Sequence, residues 1–296
     1  MKKFIILIPV FNDWESLSKL IKDISLELKA LKNDKFKFVI INDGSTNLQP
    51  KIDKPNNILS IKILNMKINK GHTLCIAYGI HYVLSNEEFD SLILMDGDGE
   101  DRPEEIGKFI DFLKYDSKKP IVGERIKRSE GAIFKFSYNI HKLITFIFTG
   151  QSIKFGNYTC LPKSTVAKMI NEKATWSSFS GSLTKLEKNR STIPSIRGER
   201  YFGPSKMSFY NLIKHSLSII AVFKTNVIIR SILFFLIYIF LISKKITYIT
   251  SIPLIAVIGF VISVLAISKR ENANELNGSL SNIENIDVIK NGKQIK

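Results

Sequence analysis

Ser91-Leu92-Ile93-Leu94-Met95 is an apolar run that ends in Asp96-Gly97-Asp98. Two carboxylates one residue apart, just past a buried strand, can hold a hard divalent cation against a diphosphate. Mg²⁺ takes one or two carboxylates and fills its shell with water and phosphate oxygens. That chemistry suits an enzyme with a nucleotide-activated donor. A calcium loop also opens on Asp-x-Asp, but here position six holds Asp101, position twelve holds Gly107, and a strand precedes the loop. A plain acidic surface loop stays open as an alternative.

Other residues of the right type fall at the ends of apolar runs. Pro9, Asn12 and Asp13 follow Phe4–Ile8, and Asn42-Asp43-Gly44-Ser45 follows Phe36–Ile41. Asn69-Lys70-Gly71 opens a helix, where free backbone N–H groups favour anions and Lys70 adds charge. Arg125 and Arg128 follow Ile121–Gly123, and Arg200, Ser205 and Lys206 close the polar part of the chain. Arginine binds phosphate oxygens in pairs through its planar fork. A turn, a simple helix start and a basic rim facing anionic lipid are the respective structural alternatives. His72, His81, His141 and His215 are scattered and read as structural.

The elements that must position these groups alternate. Strands are expected at Phe4–Ile8, Phe36–Ile41, Ile58–Leu64 and Leu92–Met95. Leu17, Leu20, Ile21, Ile24, Leu28 and Leu31 mark one helix face, and Gly71–Leu84 and Pro103–Leu113 are further helices. Proline at its first turn and Glu104 and Glu105 near its positive end suit the last of these. Continuous apolar strands between helices imply an α/β domain with a largely parallel sheet covered on both faces. Ligands of such sheets bind at the carboxyl ends of the strands, where Asn12, Asp13, Asp43, Asp96 and Asp98 all fall.

Composition narrows the class. The 296 residues suffice for a full core plus an appendage, and the net charge is +16. That charge suits nucleic acid, anionic lipid or phosphorylated small molecules, and part of it reflects a general abundance of lysine. Cys75 and Cys160 form no disulfide or zinc pattern. The start resembles a signal peptide in Lys2, Lys3 and Phe4–Ile8, but Pro9, Asn12 and Asp13 break it and no small-residue cleavage site follows.

The C-terminal third changes character. Val227–Ile242 is apolar except for Arg230 and Ser231, and Ile246–Ile267 carries no charge. The second stretch reaches about 33 Å as a helix, enough for a hydrocarbon core of about 30 Å. The first spans if it starts near Phe223 and lets Lys224 and Arg230 snorkel. Lys206, Lys214, Lys224, Arg230, Lys269 and Arg270 flank the pair and only Lys244 and Lys245 lie between, which puts both termini in the cytoplasm. Apolar residues at helical spacing over 207–223 suggest an amphipathic helix on the membrane surface. The expected division is 1–205 catalytic domain, 206–224 interfacial helix, 225–268 transmembrane hairpin, and 269–296 a polar, mobile cytoplasmic tail.

Taken together these segments resemble the family-2 glycosyltransferases of the GT-A fold. More narrowly they resemble the polyprenyl-phosphate group, that of dolichol-phosphate mannose synthase and bactoprenol glucosyltransferase, over about residues 4 to 268. The matching stretches are Ile8-Pro9-Val10-Phe11-Asn12-Asp13, Val39 to Thr46, Asn69-Lys70-Gly71, Met95-Asp96-Gly97-Asp98 with Arg102-Pro103-Glu104-Glu105, Val122-Gly123-Glu124-Arg125, and Arg200 to Lys206. The resemblance implies a nucleotide-sugar pocket of Pro9, Asn12, Asp13, Asp43, Lys70, Gly71 and Asp96. It implies Mg²⁺ or Mn²⁺ on Asp96, Asp98 and Glu100, with Asp98, Arg125 and Arg200 catalytic. It implies an acceptor phosphate held by Arg125, Arg128, Ser137, Arg200, Ser205 and Lys206. Asn42 replaces the first Asp of the family's Asp-Asp-Gly-Ser, and Glu100 stands at its Gln. The implied reaction is inverting transfer from a UDP- or GDP-sugar to a polyprenyl (undecaprenyl or dolichyl) phosphate at the inner or plasma membrane, by a multi-pass protein. No nucleic acid is expected, and homo-oligomerisation stays open. So do another lipid or glycan acceptor and a non-catalytic scaffold. The Gln-x-x-Arg-Trp signature of processive polysaccharide synthases is absent.

Overall fold

The computed structural model describes residues 1–31, 33–127, 132–204, 208–290 and 293–295, with side chains except at 127, 132–138, 209 and 293–295. Arg128, Ser205, Lys206 and the Ser137 side chain therefore lie outside the described residues.

The centre of the sheet consists of the apolar runs. β1 (Lys3–Val10) pairs parallel with β2 (Lys35–Asn42) on one side and β4 (Ser91–Leu94) on the other, and β2 pairs parallel with β3 (Ser60–Met66). Successive side chains of a strand point to opposite faces. Ile5 and Leu7 accordingly enter one core layer and Phe4, Ile6 and Ile8 the other. β1 and β4 are covered on both faces, which is why they carry no polar alternation. α1 (Trp14–Leu28) buries Leu17, Leu20, Ile21, Ile24 and Leu28, and α3 (Ile106–Tyr115) adds Phe109 and Ile110 beside it. α2 (His72–Asn86) covers the opposite face, and a side chain on Gly79 would meet Leu7 at 2.5 Å. That close approach needs glycine.

Beyond β4 the direction reverses. β6 (Phe155–Pro162) runs antiparallel to both β4 and β5 (Ile121–Lys127), and β7 (Ser191–Ile196) is parallel to β5. The full order is β7-β5-β6-β4-β1-β2-β3-β8-β9, a mixed sheet with a parallel centre. α4 (Ala132–Thr149) links β5 to β6, while α5 (Lys163–Ile170) and α6 (Phe179–Leu186) follow β6.

α7 (Phe209–Ala221) leads to α8 (Lys224–Ile242) and α9 (Tyr248–Ser268). α8 and α9 belong to two helices long and apolar enough to cross a membrane, with only 11% and 6% of their apolar windows buried. α7 exposes Tyr210 and Ile213, the latter one of the apolar positions expected on a single face, and buries Ile219, Ile220 and Ala221. Arg230 of α8 turns to the carbonyls of Phe146 and Ile147.

The segment expected to be a mobile tail is folded. After α9 come α10 (Ala273–Asn277), a 3₁₀ turn, and β8 (Ile283–Lys290), which pairs antiparallel with β3 from Ile61↔Ile289 to Met66↔Ile283. A short β9 (Lys293–Ile295) folds back on β8. An open β3 edge would leave a row of unpaired backbone groups, and β8 fills it while Leu276 and Ile289 enter the core.

Candidate active site

The Asp96–Asp101 turn sits at the carboxyl end of β4 against the end of β1. Asp96 N donates to Asp101 Oδ2 at 2.9 Å, and Glu100 N donates to Asp98 Oδ1 at 3.1 Å. A side chain on Gly97 would lie 2.9 Å from the Pro9 carbonyl, so the turn packs directly on the end of β1. Pro9 thus contributes its backbone. Gly99 has φ +87, and a Cβ there would meet the Tyr201 ring at 2.6 Å. The loop after β7 closes over the turn, with Tyr201 N donating to Asp98 O at 2.9 Å and Gly198 N to Glu100 O at 2.8 Å.

Arg200 joins the acids brought in by β1 and β4. Its Nη1 lies 2.8 Å from Asp98 Oδ2, its Nη2 pairs with Asp13 Oδ2, and its Nε donates to Phe202 O at 3.1 Å. Asp13 also accepts from Ser16 Oγ at 2.7 Å. Asp96 is held on the other side, its Oδ1 3.1 Å from His72 Nε2 and accepting from Asn157 Nδ2 at 3.1 Å. The Arg125 guanidinium lies over Gly156, where a Cβ would come within 2.7 Å of it.

The charges are unevenly satisfied. Burial would push Asp96 up, but His72, Arg125, Arg197 and the Asn157 amide hold it below the usual carboxylate range. Asp98, beside it, is pushed up to about 6 by burial and by the Asp96 charge, against the pull of Arg200 and Arg197. Burial and Asp96 likewise push Asp101 up, even though Arg125 and the Asp96 amide stabilise its charged form. Two adjacent, largely buried carboxylates that resist joint ionisation fit a divalent cation, which would relieve that strain. Asp96 and Asp98 fit this role. Glu100 does not complete the expected triad: its carboxylate pairs with Arg197, because the backbone pairing of Gly198 and Tyr201 with the turn sets Arg197 beside it. Among the described residues no three His, Cys, Asp or Glu side chains form a ligand group. Remaining positions on a cation would fall to water or substrate oxygens.

The residues expected to face a nucleoside build its loops. Asn12, at φ 51, accepts from Thr46 N and Asn47 N at 2.9 Å each, and its own N donates to Ser45 Oγ. Asn42 accepts from Ser45 N at 3.0 Å and donates to Asn65 Oδ1 at 2.8 Å. Asp43 is buried and accepts from both Lys70 N (2.8 Å) and Gly71 N (2.9 Å). These two amides precede the first residue of α2 and are held by a carboxylate 27 residues upstream of Lys70.

Asn157, Arg197 and Tyr201 are site neighbours that the sequence did not single out, and His72, read there as structural, stands beside Asp96. The signal for two of them was their place beside Arg200. His72 directly follows Gly71, and Asn157 belongs to a strand that runs against the expected direction. His215 on α7 also feels this site. Burial, then His72, His141 and Arg125, push its pKa down to about 4, against the pull of Asp96.

Comparison with known proteins gives the context. The Glycosyl transferase family 2 model matches residues 5–178. Undecaprenyl-phosphate 4-deoxy-4-formamido-L-arabinose transferases of Salmonella choleraesuis (strain SC-B67) and Salmonella newport (strain SL254) are 30% identical over 224 residues, covering 72% of this chain and 65% of theirs. The chain thus spans just under two thirds of the length of these curated relatives. Among solved structures, glucosyl-3-phosphoglycerate synthase from Mycobacterium tuberculosis, in complex with Mn²⁺, UDP-glucose and phosphoglyceric acid, superposes with a TM-score of 0.53 at 10% identity, over 76% of this chain and 80% of that one. S. aureus TarS 1–349, in complex with UDP-GlcNAc, gives a TM-score of 0.51 at 14% identity, over 99% and 95%. At such identities these two likenesses speak for the fold.

Proposed function

The chain belongs to glycosyl transferase family 2, and from that premise we propose that it moves a sugar from a nucleoside-diphosphate donor to a polyprenyl phosphate at a membrane. The observation that carries this reading is the Asp96–Asp98 turn, bridged to Asp13 by Arg200, in a domain that bears two exposed apolar helices of membrane-crossing length. The curated relatives are named for transfer to undecaprenyl phosphate, which supports the acceptor class.

In this reading Asp96 and Asp98 hold Mg²⁺ or Mn²⁺. The metal, when bound, supplies positive charge to the departing nucleoside diphosphate. Arg200 and Arg125 are the protein cations beside the same acids, suited to grip the donor diphosphate and the acceptor phosphate. Arg128, Ser137, Ser205 and Lys206 remain acceptor-side assignments by resemblance. A phosphate monoester has its second ionisation near pH 6, so the attacking oxygen is already anionic at neutral pH and needs no general base. It attacks the anomeric carbon as the bond to the nucleoside diphosphate breaks, with inversion. The residues supply position and charge neutralisation. With the domain and both termini on the cytoplasmic side, Lys244 and Lys245 lie across the membrane.

The test is transfer of radiolabel from a panel of UDP- and GDP-sugars to undecaprenyl phosphate with Mg²⁺ or Mn²⁺. Label entering the lipid phase with one donor supports the reading and names the sugar. Nucleotide binding without transfer points to another lipid or glycan acceptor. Absence of both points to a scaffold.

A further inference from the structure

Past Ile196, where β7 ends, the chain runs without helix or strand through Arg197 and Arg200. Loops are the mobile parts of most folds, yet both arginines here meet the acids around the Asp96–Asp101 turn. Side chains from two other elements fasten the loop. Glu105 closes a 3₁₀ turn, Pro103–Glu105, at the start of α3. Its side chain is 3% exposed and its two oxygens divide the work. Oε2 accepts from Ser195 Oγ at 2.7 Å, and Oε1 accepts from Ile196 N at 3.1 Å. At the far end of the loop the Tyr201 hydroxyl donates to Asp23 Oδ2 of α1 at 2.7 Å.

A buried carboxylate is costly unless its oxygens are satisfied. Lys108 meets Glu105 only at 3.4 Å and is itself 54% exposed, so that pair adds little. The two bonds to the end of β7 carry the carboxylate instead. Two acceptors in one plane hold the strand end at two points, which one hydroxyl or an apolar side chain does not do. Gly123 of β5 lets β7 come close, since a Cβ there would lie 3.2 Å from that of Ser195. Glu105 is continuous with the Asp96–Asp101 turn, and the connection is fixed by Tyr158, whose hydroxyl donates to Arg102 O at 2.7 Å. We infer that Glu105 is a positioning residue. It pins the end of β7 to the stretch that carries Asp96 and Asp98, so that Arg197 is delivered to Glu100 and Arg200 to Asp98 and Asp13. It acts through those two arginines. Its part in transfer rests on the reading of this site proposed above, whereas the pin itself does not.

Cys75 and Cys160 are both buried, so a single cysteine at the exposed Glu199 can carry a nitroxide in the full chain, with one at the exposed Leu48 as control. Nitroxide mobility is compared in the otherwise wild-type chain, Glu105→Gln and Glu105→Ala. Glutamine keeps an acceptor for Ile196 N and a polar partner for the Ser195 hydroxyl, and alanine keeps neither. The expected result is a several-fold shorter correlation time at 199 in Glu105→Ala, a value near wild type in Glu105→Gln, and no change at 48. If Glu105→Ala does not fold, Ser195→Ala takes its place with a smaller rise at 199. Equal mobility at 199 in all variants overturns the pin, and so does an equal rise at 48, which reports general loosening. In the assay of sugar transfer, Glu105→Ala should slow turnover by about 10²-fold, the scale of a 1 Å misplacement, and Glu105→Gln should restore most of it. The alanine change should cost little more once Arg200 is also alanine, because a residue acting through another adds no second loss. A fully additive loss, or one that glutamine does not relieve, overturns the positioning role. Mobility as expected in a protein that transfers no sugar overturns the proposed function, and with it the role in transfer, and leaves the pin standing.

Discussion

Asp98→Asn should stabilise the metal-free protein at neutral pH while abolishing transfer. Asp98 is pushed from 3.8 up to about 6 by burial and by Asp96. A rise of about two units corresponds to ~3 kcal/mol of strain carried by the ionised form. Its side chain is 18% exposed, so solvent screening trims this only in part and about 2–3 kcal/mol is expected. The folded state binds the Asp98 proton more tightly than the unfolded chain does. Stability from this group is therefore lowest above pH 6 and improves as the pH falls towards 4. Asparagine removes the charge and keeps an acceptor oxygen for Arg200. At about 2–4 °C per kcal/mol for a domain of this size, the variant should melt some 5–10 °C higher at pH 8 in chelator. The gain should shrink as the pH drops through 6 and vanish below about 4. Thermal denaturation at pH 8, 6 and 4.5 reads this directly. Adding Mn²⁺ with a nucleoside diphosphate should raise the melting point of the wild type far more than that of the variant. A variant no more stable than wild type at pH 8, or a gain independent of pH, refutes the account of two carboxylates strained for want of a cation.

Gly99→Ala should cost about 1–2 kcal/mol from its left-handed backbone alone, and more from the contact with Tyr201 at 2.6 Å. Calorimetry should show the loss, and Tyr201→Ala should restore only the steric part. Removing residues 271–296 should lower the melting point sharply. The core would lose Leu276 and Ile289, about 2 kcal/mol or more each, and the β3 edge would open; an unchanged melting point would mean that the segment is a free tail after all. Glu87, 2% exposed, pairs with Lys37 at 2.6 Å, and although burial alone would raise its pKa, the two lysines Lys37 and Lys62 hold it below the usual range. Its stabilisation is present above pH 4.5 and lost as the pH falls through its lowered folded value, so Glu87→Gln should flatten acid unfolding in that window.

Much of the parallel centre was legible because burial on both faces leaves a mark in sequence. Phe4–Ile8, Phe36–Ile41 and Leu92–Met95 are unbroken apolar runs, each ended by turn residues, and the structure places β1, β2 and β4 over them. The Asp96–Asp98 turn could be found because it follows one of these runs. β8 was not legible. Ile283-Glu284-Asn285-Ile286-Asp287-Val288-Ile289-Lys290 is an edge strand with mixed faces, and its buried carboxylate, Asp287, accepts from Asn65 at 3.2 Å and Gln49 at 3.4 Å, partners more than 200 residues away. Such a segment reads as polar tail because its reason to fold lies in the open edge of β3. The roles of Asp43 and Glu100 were hidden likewise. Their motifs mark them as ligand-facing, but their partners, the Lys70 and Gly71 amides and Arg197, are set by tertiary approach. The strand reversal at β6 left no periodic signal, so Asn157 could not be placed beside Asp96.

The folded C-terminus bears on the proposed reaction. A domain hung from α8 alone could swing about one connection. Here the chain returns, and the two ends of the hairpin are fastened to each other and to the domain. Lys224 meets Glu271 at 3.1 Å and Arg270 reaches Ser218 of α7 at 3.2 Å. Glu275 accepts from the Trp176 indole at 2.8 Å, Ser279 meets His81 at 2.8 Å, and Asn282 donates to Tyr78 at 3.2 Å. In the proposed membrane arrangement, two helices whose outer ends both attach to one domain would cross and return, in keeping with the excess of lysine and arginine outside the hairpin over Lys244 and Lys245 within it. Attack on an anomeric carbon needs the reacting atoms within about 3–3.5 Å. A lipid-borne phosphate is confined to a plane, and a domain free to tilt would meet it at that distance only in a fraction of its orientations. Fastening from both sides removes the tilt, so the entropy of that encounter is spent in folding rather than in each turnover.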